Sequence, residues 1–118
     1  MKSANVRIQD GKGWSSQEQP IIDEFVTHVR DTFKERAKRI ILYGSRARGD
    51  ADEESDYDFV VLLDPFYKND KETLSDLGYE VACEFNAVIV AFAIALNDFR
   101  EDKLFYFYEN VCKEGVDF

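Results

Sequence analysis

The apolar residues of this chain change period twice, and that change restricts the fold more than any other feature. Ile21, Ile22, Phe25, Val26, Val29 and Phe33 recur at the spacing of one helix face. From Arg39 the pattern becomes extended. Arg39-Ile-Ile-Leu-Tyr43 is a short β-branched run stopped by Gly44, and Tyr57-Asp-Phe-Val-Val-Leu-Leu63 is a second, closed by Asp64-Pro65. Leu74, Leu77 and Val81 return to helical spacing behind a capping candidate at Asn69 or Asp70, with Glu72 three residues beyond Asn69. In the apolar stretch 87–96, Val88, Val90, Phe92, Ile94 and Leu96 are large while Ala87, Ala91, Ala93 and Ala95 are small, a period-2 alternation in size that favours a central strand over a buried helix. Asn97 is placed to cap a last helix from Asp98 to about Tyr108. The predicted order is α-β-β-α-β-α, an α/β (α+β) domain with no internal repeat.

Residues 1–19 are polar and glycine-rich with a single Trp, and are expected to form a loose arm with a short strand at Val6–Ile8. Pro20 suits the first turn of a helix, and Ser16 with Gln19 has the spacing of a capping box. The expected division is an arm, 1–19, and one domain, 20–118; a chain of 118 residues leaves no room for a second. Fifteen Lys and Arg against 24 Asp and Glu give a net charge of −9. That balance argues against non-specific nucleic-acid binding and against an anionic membrane surface, and favours a basic protein partner or a metal-bridged ligand. The longest apolar run, ten residues, is about half a membrane span. No secretory leader is recognised, because Arg7, Gln9, Asp10 and Lys12 interrupt the N-terminus. Cys83 and Cys112 are scattered, so a reduced, cytoplasmic setting is expected. His28, the one histidine, reads as a surface residue, and a structural zinc site is not expected.

Two segments carry chemistry. Gly44-Ser-Arg-Ala-Arg-Gly49 follows a buried strand directly. Glycines let a backbone approach phosphate oxygens, Ser donates from its hydroxyl, and Arg pairs with phosphate. It is not a P-loop, because Asp50 stands where that motif needs Lys, and an ordinary tight turn with surface arginines would read much the same. Asp56-Tyr57-Asp58 opens the second strand. Residues two apart in a strand share a face, so both carboxylates project together and repel unless a cation lies between them. Mg²⁺ characteristically takes one or two carboxylates, with water and substrate phosphates completing its shell. Asp52, Glu53 and Glu54 read as solvated loop charges. Ten residues separate Arg46 from Asp56, so a phosphate-cradling turn closes one strand and an acid pair opens the next. That combination suits in-line transfer from a nucleoside triphosphate.

Leu42-Tyr-Gly-Ser-Arg-Ala-Arg-Gly49 followed by Ser55-Asp-Tyr-Asp-Phe-Val60 resembles the signature of the minimal nucleotidyltransferases of the DNA polymerase beta-like superfamily. Asn97-Asp-Phe99 and Tyr108-Glu-Asn-Val-Cys-Lys-Glu-Gly-Val116 are similar to the C-terminal helix and closing segment of small bacterial members, so the resemblance spans most of residues 20–116. It implies a small mixed sheet flanked by helices, an ATP-type substrate and Mg²⁺. By motif position, Gly44 and Ser45 match the triphosphate-binding turn, Asp56 and Asp58 match the metal ligands, and Arg46 and Arg48 are phosphate contacts. The family uses a third carboxylate on the neighbouring strand. Alignment through Asn97–Phe99 puts Asn86 at that position, and either Asn86 or Glu84, two residues earlier with the same parity, would complete the site. Asn accepts no proton at neutral pH.

The reaction implied is Mg²⁺-dependent transfer of a nucleotidyl group, AMP for preference, to a hydroxyl, with release of pyrophosphate. Larger relatives grip the acceptor with an additional helical domain for which these residues leave no room, so the acceptor is a partner protein or is held across an oligomer interface. Small members that resemble this chain act as antitoxins beside a HEPN-domain RNase and adenylylate a tyrosine of the toxin. The alternative is an impaired pseudoenzyme that binds nucleotide and neutralises a HEPN-type partner by contact alone. Phe105-Tyr-Phe-Tyr108 cannot face one core as a continuous segment, which predicts either a bend or an interface there.

Overall fold

The computed structural model describes residues 13–99 and 106–118. Helix α1 (Gln19–Phe33) buries Ile22, Phe25, Val29 and Phe33, the face its periodicity predicts. It stops at Lys34, whose φ of +55° breaks the helical path, and a 3₁₀ turn (Lys34–Arg36) leads into strand β1 (Ala37–Tyr43). A single short turn of helix, α2 (Ser45–Arg48), separates β1 from β2 (Tyr57–Leu63). Helix α3 (Asp70–Phe85) crosses over to β3 (Ile89–Ala95), and helix α4 (Tyr106–Glu114) precedes a two-residue strand β4 (Val116–Asp117).

The sheet order is β3-β2-β1-β4. Strands β1 and β2 are antiparallel, with Tyr43 opposite Asp58 and Leu42 opposite Phe59. Strands β2 and β3 are parallel, as a helical crossover requires, and β4 pairs antiparallel with β1. The sheet is therefore mixed, with β2 near its centre and Phe59 to Leu63 fully buried. Alternation sends Tyr57, Phe59, Val61 and Leu63 into the core formed with α1 and α3, where Phe25 stacks on Phe59 at 4.2 Å between ring centroids. Val60 and Leu62 face the other way, against Val111 of α4 and Phe99.

Several boundaries differ from the sequence reading. Trp14, expected in the arm, is buried in the main core, its ring 5.6 Å from that of Phe118, and its indole N–H donates to Gln19. Gln19 is thereby used away from the capping box, and α1 opens without a side-chain cap. Val6–Ile8 lies outside the described residues. Asn69 makes no side-chain cap either; Asp70 organises the start of α3 by accepting from the Tyr67 amide at 2.7 Å and from the Arg36 guanidinium at 2.7 and 3.1 Å. The third strand begins at Ile89 rather than Ala87, the last helix starts at Tyr106 and runs to Glu114, and β4 is an addition. Within the aromatic run, Phe107 lies edge-on to both Tyr43 and Phe92, and Tyr108 packs on Phe99, so these two rings serve the α4 side of the sheet. No helix among the described residues is long and apolar enough to cross a membrane.

Candidate active site

Because β1 and β2 are antiparallel, the end of one lies beside the start of the other. The Gly44 turn and the acid pair, separated in the sequence, therefore meet at one end of the sheet, in register at the Tyr43–Asp58 pair. Gly44 is required there twice over. Its φ is +81°, and a Cβ at this position would sit 2.6 Å from Asp58 Oδ2. Gly49 closes α2 with φ +93°. Ser45 lies between them, half-buried at the first position of α2, where the amide has no intrahelical acceptor.

Asp58 lies on the α4 face of β2 and is half-buried, whereas Asp56, in the loop before the strand, is exposed. The Asp58 carboxyl is pushed up to about 6, first by burial, then by the like charges of Asp56 and Glu114, while Arg48 pulls it down. The Tyr43 hydroxyl is driven up as well, by burial and by Asp58 and Glu114. This crowding of negative charge is what a divalent cation relieves, so the donor set fits Mg²⁺, with Asp56 and Asp58 as the residues able to hold it. Among the described residues no group of three His, Cys, Asp or Glu side chains is arranged to ligate a metal together.

The two arginines part company. Arg48 is exposed at the end of α2, donating from Nε to Asp50 at 3.1 Å and from Nη1 to Glu114 at 2.9 Å. Arg46 is buried. Its Nη1 donates to Glu18 at 2.8 Å, its Nε and Nη2 donate to the Ser55 carbonyl, and its guanidinium lies 4.3 Å over the Tyr57 ring. Arg46, expected at a phosphate, is engaged elsewhere here: it ties the start of α1, the acidic loop and the start of β2 together.

The third-carboxylate assignments also change. Glu84 is an exposed residue of α3, and Asn86 is the left-handed cap of that helix, at φ +54°; neither lies on a strand. The β3 residues beside the acids are apolar. Val90 is paired with Asp58, and the Val88 carbonyl accepts from the Tyr57 amide at 2.9 Å. The carboxylate that reaches the site comes instead from α4: Glu114 accepts from the Gly44 amide at 3.1 Å and from Arg48. Only the similarity of the closing segment hinted at Glu114, and nothing local to it marks a contact 70 residues away. His28 is elsewhere, paired with Glu24 on α1.

The nucleotidyltransferase domain family matches residues 22–111, a span that contains the turn, the acid pair and most of α4. This chain is a member of that family. Among its relatives is the "Putative protein adenylyltransferase MJ0604" of Methanocaldococcus jannaschii, 35% identical over 98 residues, which cover 83% of this chain and 94% of the relative. This nucleotidyltransferase domain also superposes on solved structures. A toxin–antitoxin complex with AMP-PNP aligns with a TM-score of 0.61 at 18% identity, over 80% of this chain and 69% of the other. A tri-AMPylated Shewanella oneidensis HEPN toxin in complex with MNT antitoxin aligns with a TM-score of 0.56 at 16% identity, over 85% and 70%. The shared feature is the fold: the mixed sheet with helices on both faces.

Proposed function

We propose that this nucleotidyltransferase moves AMP from ATP to a hydroxyl of a partner protein, a HEPN-domain toxin being the partner class, and releases pyrophosphate. The observation that carries the reading is the meeting of the Gly44-Ser45 turn with Asp56 and Asp58 at one end of the sheet, in a chain 35% identical to a named adenylyltransferase. AMP-PNP and an AMPylated HEPN toxin in the complexes that share the fold support the nucleotide and the acceptor class. The net charge of −9 suits a basic, RNA-handling partner.

In this reading Asp56 and Asp58 hold Mg²⁺, which when bound neutralises and orients phosphate oxygens. Ser45 donates its hydroxyl and amide to the triphosphate, and Arg48 pairs with a phosphate oxygen through its open Nη2 edge. Gly44 keeps the turn close to Asp58 because it carries no side chain. The acceptor hydroxyl attacks the α-phosphorus as the bond to the pyrophosphate oxygen breaks, and its proton passes to Asp58 or to water.

The apolar Val90 beside Asp58 favours one second reading, a domain that binds nucleotide but transfers slowly and silences its partner by contact. Mass spectrometry of the co-expressed partner separates the two. An added AMP mass that disappears in Asp56→Ala establishes the enzyme. A tight, unmodified complex insensitive to that substitution establishes the binding module and refutes transfer.

A further inference from the structure

We infer that Glu114 is a positioning residue of the nucleotidyl-transfer site, acting through Arg48 and the Gly44 turn; the inference rests on the site reading above. Its carboxylate is the last on α4, four-fifths buried, and one oxygen spans the turn. Oε1 accepts from the Gly44 amide at 3.1 Å and from Arg48 Nη1 at 3.0 Å, while Oε2 accepts from the same Nη1 at 2.9 Å. The residue before α2 and the residue that ends it are thus fixed by a single side chain from the far end of the sequence.

The consequence for Arg48 is orientation. Asp50 holds its Nε and Glu114 holds its Nη1, so the guanidinium is gripped along two edges, and Nη2 makes no hydrogen bond among the described residues. A free arginine loses rotamer freedom when it engages an anion; one held in place has lost that freedom beforehand. Two flanking carboxylates weaken the field of Arg48, so the arrangement trades bare attraction for a fixed donor direction. The consequence for the acids runs through Gly44. Its Cα lies against the Asp58 carboxylate, so a methyl there would meet Oδ2 at 2.6 Å unless that carboxylate turned away, and a turn that drifted would move against Asp58.

Calorimetric titration of the full chain with Mg²⁺ and a non-hydrolysable ATP analogue, α,β-methylene-ATP, tests this through a double-mutant cycle. Glu114→Ala should weaken binding about tenfold, Arg48→Met by a similar factor, and the double variant by clearly less than the product of the two, because part of the effect of Glu114 runs through that guanidinium and the rest through the Gly44 turn. Glu114→Gln, whose amide oxygen can still accept from Gly44, should recover part of the loss and carries the cycle if Glu114→Ala does not fold. A merely structural role would lower the melting temperature without this non-additivity. Binding by Glu114→Ala within about twofold of wild type, tighter binding, or additive losses in the double variant would each overturn the proposal. If wild type binds no analogue, the site reading falls and takes this inference with it; if wild type binds and the cycle is additive, only the inference falls.

Discussion

Replacement of Arg46 by Met separates the structural reading of the Gly-Ser-Arg segment from the one its sequence invites. The side chain is 6% exposed, and its guanidinium donates to Glu18 at 2.8 Å and to the Ser55 carbonyl at 2.7 and 3.2 Å. Met matches the volume of the stem but leaves a carboxylate and a carbonyl without their donor and removes the cation over Tyr57. Loss of one partner from a buried ion pair costs about 3–5 kcal/mol. Glu18, 23% exposed, can turn toward water, so the lower end of that range, about 3 kcal/mol, applies here. For a domain of this size, at about 4 °C per kcal/mol, the melting temperature should fall by about 12 °C. Arg48→Met removes pairs in which the arginine itself is exposed, and the more buried Glu114 keeps the Gly44 amide, so the cost should be about 1 kcal/mol and the variant should melt within about 4 °C of wild type while losing affinity for ATP. Thermal melts followed by circular dichroism, beside calorimetric titration with ATP and Mg²⁺, give both quantities on the same samples. An Arg46→Met protein that melts within about 3 °C of wild type yet fails to bind ATP would refute the reasoning, and would return Arg46 to the phosphates.

Three further outcomes follow from the same geometry. Asp58→Asn should abolish AMP transfer and yet raise the melting temperature in chelator at pH 7. A carboxyl raised to about 6 binds its proton more tightly in the folded state, so its ionisation costs stability above that pH, and the advantage of Asn, about 1 kcal/mol after discounting for its partial exposure, should shrink as pH falls through 6 toward 4; a variant that is destabilised at pH 7 counts against the crowded-acid picture. Gly44→Ala should cost about 1–3 kcal/mol for a backbone conformation that only glycine adopts freely and should abolish activity, because the methyl meets Asp58 at 2.6 Å; retained transfer would show that the turn has room. Asp70→Asn should destabilise the domain by about 2 kcal/mol at pH 7. Arg36 holds the Asp70 carboxyl below its ordinary range, so this contribution is present above the unfolded pKa and fades as pH drops through the folded one; urea titrations should show the wild-type advantage persisting at pH 5 and shrinking as the pH is lowered below the ordinary aspartate pKa of about 4.

Helix α1, strands β1 and β2, the glycine turn and the acid pair were legible in the sequence because each is a local feature. A helix face repeats within one segment, a strand needs only a short β-branched run, and glycine at a turn or carboxylates two apart identify themselves without reference to the rest of the chain. What the tertiary structure alone decided is whatever depends on strand register and on contacts across long separations. The register of β3 puts Val90, rather than a carboxylate, beside Asp58, and a two-residue shift in where that strand starts turned Asn86 from a strand residue into a helix cap. Burial assigned Arg46 to the scaffold and left Arg48 at the surface, although the two are indistinguishable by type and sit two residues apart on the same turn. Trp14 joined the core, and Glu114 reached Gly44, because folding brings chain ends back onto the sheet, and side-chain identity carries no record of which distant backbone amide will arrive beside it.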